Sequence, residues 1–205
     1  MSFFDQRFRT SNDIRPYFYD KMEGSWMVDI DENFLQSQVS FYGLNQHVPH
    51  FSHASHAVRG KNYSVDDYDQ DKIVKLIESC QLLYGLLHAR YILTEEGIAA
   101  MKTLYSRHIF GKCPRLNCDN QPLLPIGTTT TPGIDTAKCY CPRCHDIYET
   151  GSKYDGAFFG TDFPVMFCKR IGIECNYIPF SLNSIDDGIQ IELPPRLIRW
   201  GENTP

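Results

Sequence analysis

Apolar side chains recur at threes and fours through Ile73, Leu76, Ile77, Cys80, Leu83, Tyr84 and Leu87, the longest helical stripe in the chain. The stripe leads to Arg90-Tyr91-Ile92-Leu93. Thr94 then stands as a cap, with Glu95 and Glu96 opening a further helix through Ile98, Ala99, Met101, Leu104 and Tyr105. His88 and Arg90 fall inside this packed region, where hydrogen bonding that supports the fold outweighs a catalytic use. Upstream, Trp26, Val28 and Ile30 alternate briefly. Asp31 and Glu32 follow where a first helical turn favours negative charge, and Phe34, Leu35, Val39 and Phe41 predict a short helix ending near Gly43. Leu44 to Pro49 reads as a loop, with Pro49 placed to open the next helix. Residues 1–23 lack steady periodicity and are expected to form a poorly ordered lead-in.

Beyond residue 108 the helical period fades. Asp146-Ile147-Tyr148-Glu149 reads as a short strand, and the glycines and aromatics of Asp155–Pro164 predict a tightly packed turn. The last 40 residues read as irregular, with Ile189, Ile191 and Leu193 alternating as a strand and Pro194-Pro195 ending it. Arg196-Leu197-Ile198-Arg199-Trp200 then places a Trp on an irregular tail, the pattern of a docking segment or of a tail packed back on its own domain.

The chemistry is concentrated between Cys113 and Cys144. Cys113-Pro-Arg-Leu-Asn-Cys118 and Cys141-Pro-Arg-Cys144 present two pairs of thiols across a connection rich in Gly, Pro and Thr. Two such knuckles suit a tetrahedral Zn2+ ion, and a closed four-thiolate shell leaves no position for water, so the expected ion is structural, one per chain. Cys139 lies two residues before the second knuckle and points the same way as Cys141 in an extended strand. The Pro after Cys141, matching Pro114 after Cys113, starts the knuckle at Cys141 and leaves Cys139 as a buried bystander.

Composition narrows the function. The 205 residues are 42% hydrophobic and 13% aromatic, enough for a real core, and no run approaches the roughly 20 apolar residues of a membrane span. The start lacks a basic segment followed by an apolar one, so an intracellular location with reduced thiols is expected, and Asn62-Tyr63-Ser64 is then a chance glycosylation motif. The net charge is −5. Around the cysteines, Lys112, Arg115, Lys138 and Arg143 are balanced by Asp119, Asp135, Asp146 and Glu149, which is no basic patch for a phosphate backbone. A protein scaffold is favoured over the rival reading, a zinc ribbon that binds nucleic acid or transcription factors.

His47, His50, His53 and His56 step by threes, but each step falls short of a full helical turn and no carboxylate or cysteine lies among them, so they are assigned no metal. Asp66, Asp67, Asp69 and Asp71 make an exposed, mildly acidic loop, diluted by Lys61 and Lys72. No phosphate loop, nucleophile elbow or open metal site is visible, and the expected chain is no enzyme.

The run Leu83-Tyr84-Gly85-Leu86-Leu87-His88-Ala89-Arg90-Tyr91-Ile92-Leu93-Thr94 closely resembles the regulatory (beta) subunit of protein kinase casein kinase II. So do Gly43–His50, Phe110–Arg115, Gln121–Gly127, Cys141–Cys144 with Asp146, and Asp155–Thr161, in the same order. The likeness covers about residues 24 to 166. It implies an α+β fold class: an N-terminal all-helical domain, here over residues 24–108, a zinc-ribbon-like small β domain over 109–165, and an irregular C-terminal tail over 166–205. It implies a non-catalytic subunit that forms a homodimer, zinc module against zinc module, here through Pro114, Leu116 and Ile147. It also implies two bound catalytic (alpha) subunits, which the dimer stabilises while modulating substrate selection and docking protein substrates and regulators. Arg196, Ile198 and Trp200 are the implied contacts to the catalytic subunit, and the acidic loop the implied site for basic regulators such as polyamines. No nucleic acid and no membrane are expected as partners. Three departures stand out. Phe3-Phe4 replace a serine- and glutamate-rich start, the acidic loop is sparse, and Ile198 and Trp200 replace two aromatic anchors of the family's tail hairpin.

Overall fold

The computed structural model describes residues 26–61, 69–175 and 197–199. They divide into two compact units, residues 1–90 and 91–205. The helix opened by Thr94 therefore groups with the cysteine-rich unit, and the boundary lies upstream of the 108/109 position expected from the pattern. The lead-in, Asp66 and Asp67, the strand read at Ile189–Leu193, and Arg196 and Trp200 all lie outside the described residues. Among the described residues, no helix is long and apolar enough to cross a membrane.

The first unit is helical. Helix α1 (Glu32–Gln36) is capped by Asp31, whose carboxylate accepts from Asn33 N at 2.8 Å and Phe34 N at 3.3 Å. It is shorter than the pattern predicts, because Ser37 turns extended and Val39–Phe41 forms a separate 3-10 turn. Phe41 is buried, with the Arg59 guanidinium stacked 4.1 Å over its ring. Helix α2 (Phe51–Val58) starts two residues after Pro49, with His50 at its N-cap in the left-handed region. His47, His50, His53 and His56 are all exposed, and α2 buries Ala54, Ala57 and Val58 instead.

Helix α3 (Gln70–Tyr91) follows the apolar stripe: Ile73, Leu76, Cys80, Leu83, Tyr84 and Leu87 are buried. Asp69 supports its start by accepting from Lys72 N at 2.9 Å. Its polar residues tie down irregular backbone elsewhere in the unit. His88 Nε2 accepts from Val28 N at 3.1 Å, the Tyr84 hydroxyl accepts from Ile30 N at 3.3 Å, and Arg90 donates to Ser40 O at 2.7 Å. His88, Tyr84 and Arg90 thus satisfy amides and a carbonyl that no helix serves. Burial lowers the Cys80 acidity, pushing its thiol up to about 12.

The second unit opens with α4 (Glu95–Ser106), whose N-cap Thr94 accepts from Gly97 N at 3.1 Å. A four-stranded sheet follows in sequence order: β1 (Leu124–Ile126), β2 (Lys138–Tyr140), β3 (Ile147–Glu149) and β4 (Leu197–Arg199). The first three strands run antiparallel, with Leu124 opposite Tyr140 and Tyr140 opposite Ile147. β4 adds in parallel, Ile147 to Leu197 and Tyr148 to Ile198, so part of the tail pairs with its own chain. Each strand has three residues, and the first two are buried throughout.

The segment after residue 162, read as a turn and an irregular tail, instead holds α5 (Phe163–Ile171). Its signals are local: Pro164 in the first turn, Phe163 and Phe167 one turn apart, Lys169 and Arg170 in the last turn, and Gly172 left-handed at the end. Phe167 meets Tyr105 edge-on with ring centroids 5.2 Å apart. The Asp155–Gly160 turn closes against β1. A Cβ on Gly127 would come within 2.2 Å of Gly156 O, a contact only the absence of a side chain allows.

Gly127→Ala should therefore destabilise the second unit by about 1–3 kcal/mol, since backbone must move to admit the methyl group. A urea unfolding curve checks this. An unchanged midpoint would show that the two loops separate freely.

Candidate metal centre

Two short backbone loops carry the sulfurs. In the first, Cys113 N donates to Gln121 O at 2.8 Å and Gln121 N donates to Cys118 O at 3.0 Å, closing a tight arch. In the second, Cys141 N donates to Asp146 O at 3.0 Å and His145 N donates to Cys141 O at 2.9 Å. The residue after each second cysteine, Asp119 and His145, adopts a positive φ, 51° and 61°. That bend turns the chain back so that both sulfurs of a knuckle face inward.

Cys113, Cys118, Cys141 and Cys144 converge, all four Sγ atoms lying within 4.8 Å of one another. Cys113, Cys118 and Cys141 are buried and Cys144 is partly so. A tetrahedral ion with metal–sulfur bonds of about 2.3 Å sets sulfurs about 3.8 Å apart. The Cys113–Cys144 separation is 3.7 Å. The donor set therefore fits a metal ion, and all four residues expected as ligands meet at one point. Cys139 does not join them: its thiol donates to Phe110 O at 3.3 Å, fully buried.

The sulfurs are electrostatically unequal before any ion is considered. A hydrogen bond from Cys141 brings Cys144 down to about 4, and the same bond raises Cys141. Burial pushes Cys118 up to about 12. The Tyr148 hydroxyl, 3.3 Å from Cys144 Sγ and 3.5 Å from Cys113 Sγ, donates to the thiolate. One negative charge is thus already held at the cluster, and a cation replaces the protons on its neighbours.

The repeated Cys-Pro-Arg triplet has a use that charge counting does not reveal. Arg115 of the first knuckle reaches across to Asp146, 2.7 Å away, just after the second. Arg143 of the second knuckle donates to Cys118 O of the first at 3.0 Å and lies 4.0 Å from Asp119. The two knuckles are crosslinked by each other's arginines. On β2 the Lys138 ammonium, 5% exposed as a residue, pairs with Asp135 at 3.0 Å and Glu149 at 3.5 Å. The charge balance read from the sequence resolves into these pairs. Tyr148 carried no signal in the sequence beyond standing four residues after Cys144.

The remaining predicted residues are dispersed. Pro114 is exposed and Leu116 is 97% exposed at the tip of the first knuckle. Ile147 is 2% exposed, held in the sheet between β2 and β4, so its side chain offers no free surface in the single chain. Ile198 lies in β4. Asp69 and Asp71 are exposed near the start of α3.

A helical unit followed by a small sheet module with four converging cysteines defines a zinc-ribbon-like protein whose cysteine cluster could hold a metal ion. The profile of the casein kinase II regulatory subunit family matches residues 14–177. The chain is 38% identical over 161 residues to "Putative casein kinase II subunit beta-4" of Arabidopsis thaliana, covering 76% of this chain and 57% of that protein. It is 39% identical over 153 residues to "Casein kinase II subunit beta" of Dictyostelium discoideum, covering 73% and 57%. With "Casein kinase II subunit beta'" of Drosophila melanogaster the identity is 38% over 156 residues, 74% of this chain and 71% of that one. The chain spans little more than half the length of the first two relatives. It belongs to the casein kinase II regulatory subunit family, a non-catalytic family.

Metal binding to the preformed cluster should release about two to three protons per ion near neutral pH, because Cys144 is already a thiolate while Cys118 and Cys141 are not. Calorimetric titration in buffers of different ionisation enthalpy measures this number. Affinity then falls as pH is lowered, as protons compete for the sulfurs. Release near four would mean that the knuckles form only with the ion. Tyr148→Phe should keep the stoichiometry and weaken affinity by roughly 10-fold or more.

Proposed function

We propose that this chain is a zinc-dependent homodimeric regulatory subunit that binds two casein-kinase-II-type catalytic subunits, stabilises them and modulates which proteins they phosphorylate. Zinc is the ion that best suits four thiolates in a closed tetrahedral shell, where no redox or open-site chemistry is needed. Its role is structural. The ion holds Cys113 and Cys118 against Cys141 and Cys144, and so fixes the knuckle tip between them.

One observation carries the dimer: the Leu116 side chain, 97% exposed, on a knuckle anchored by two metal ligands. An apolar residue held out on a rigid tip is a ready self-contact. Pro114 beside it is also exposed. Ile147 then contributes by supporting the sheet, not by touching the partner copy. Family membership supports the catalytic-subunit partner, with Arg196, Ile198 and Trp200 as its contacts. The expected location, nucleus and cytoplasm, and the use of Asp66, Asp67, Asp69 and Asp71 toward basic regulators belong to the same proposal.

Light scattering of the chain alone should return twice its 23.7 kDa, and mixing with a casein kinase II catalytic subunit should add two kinase chains per dimer. A dimer that ignores the kinase would move the function to other partners, and steep salt-dependent binding to DNA or RNA would favour the nucleic-acid reading. Leu116→Glu should give a monomer that keeps its zinc, by element analysis, whereas Cys141→Ser should lose both zinc and dimer. A stable Leu116→Glu dimer would remove this tip from the interface.

A further inference from the structure

The loop between β1 and β2 carries four threonines in a row, Thr128 to Thr131, and only the last precedes a proline, Pro132. Thr130, Thr131, Gly133 and Ile134 are exposed, Ile134 at 69%. No backbone–backbone hydrogen bond holds residues 128–134. Side chains tie the loop down instead. Thr128 Oγ1 donates to Asp135 Oδ2 at 2.8 Å, Thr131 N to Thr129 Oγ1 at 3.0 Å, and Gly133 N to Asp155 Oδ2 at 2.5 Å. None of these bonds occupies the Thr131 hydroxyl. Asp155 is shared, because its Oδ1 also accepts from Ala157 N at 2.9 Å. One carboxylate thus fastens the loop tip to the 3-10 turn at Gly156–Phe158. Lys138, the buried cation of this corner, is already paired with Asp135 and Glu149.

We propose that Thr131 is a phosphorylation site for proline-directed Ser/Thr kinases, and that the phosphate loosens the loop from Asp155. A kinase groove takes its acceptor residue in an extended segment. The following proline biases Thr131 to extended backbone, and a loop held by side chains alone can lift without breaking the β1–β2 ladder. Pro132 brings no amide hydrogen, so an apolar pocket next to the acceptor leaves no donor unsatisfied. Thr131 Oγ1 attacks the γ-phosphorus of ATP, the bond to the bridging oxygen breaks, ADP leaves, and the hydroxyl proton passes to the kinase's carboxylate base. The product carries nearly two negative charges. It stands two residues before Gly133, at most about 7 Å of chain, within the roughly 8–10 Å over which charges in salt still interact. The repulsion falls on Asp155, and the bond from Gly133 N weakens.

The test treats the full chain, metal bound, with a mitogen-activated protein kinase, Mg2+ and ATP, then digests it with trypsin. Cleavage after Arg115 and Lys138 isolates residues 116–138, which hold all four threonines. One phosphate, about 80 Da, is expected on that peptide, placed at Thr131 by fragmentation. Thr131→Ala should abolish it with metal content unchanged. Pro132→Ala restores an amide donor and should slow the reaction roughly 10-fold or more. In the phosphorylated chain the Gly133 amide should exchange with solvent roughly 3–10-fold faster, and concentrated salt should shrink that acceleration. A chain left unmodified by a kinase that phosphorylates a synthetic peptide of residues 126–138 would overturn the proposal. So would phosphate that persists in Thr131→Ala, or a Gly133 exchange rate that the phosphate leaves unchanged.

Discussion

Four sulfurs within 4.8 Å of one another, three of them buried, cannot all carry charge and cannot all be left unsatisfied. The local order of the second unit follows from that constraint. Burial raises Cys118, a shared proton splits Cys141 from Cys144, and Tyr148 donates to the thiolate that results. A divalent cation relieves the arrangement by replacing protons with one central charge. The strands that flank the cluster have only three residues each, too short to be stable by ladder hydrogen bonds alone. Sulfur convergence and the arginine crosslinks make up the difference.

Those crosslinks show how a charge-balanced surface becomes structure. Arg115 with Asp146 and Arg143 with the Cys118 carbonyl join the knuckles in both directions. A planar guanidinium suits both a carboxylate and a carbonyl at the end of a tight turn. Lys138 extends the same logic into the sheet, where a buried ammonium is tolerated because two carboxylates flank it. The result is a rigid support for an exposed apolar tip at Leu116. In the first unit the polar residues of α3 serve a parallel purpose. His88, Tyr84 and Arg90 satisfy backbone groups at Val28, Ile30 and Ser40.

Much of this was legible in the sequence, where short-range rules govern. The stripe from Ile73 to Leu87, the acidic helix start at Asp31 and Glu32 and the cap at Thr94 depend on neighbours within a turn or two, and the chain obeys them. The two cysteine pairs declare their geometry by spacing, and Cys139 is excluded as the adjacent proline suggests. Where the reading fell short, the signal was present but weak. Helix α5 is short, and Gly-rich sequence before it masks its Pro164 start and Gly172 stop. The helix read through Phe41 breaks at Ser37, because Val39–Phe41 forms its own 3-10 turn.

The sequence by itself determined the helical stripe, the cap at Thr94, the set of four converging cysteines and the family, because each rests on residue types at fixed separations along the chain. Only the tertiary structure decided which arginine meets which acid, that Tyr148 serves the sulfurs, and that Ile147 is buried while Leu116 is not. Those relations join residues whose distance in space is set by how turns and strands stack. Left-handed bends at Asp119 and His145 close the two knuckles. A separation along the chain does not specify the direction in which such a bend delivers a side chain.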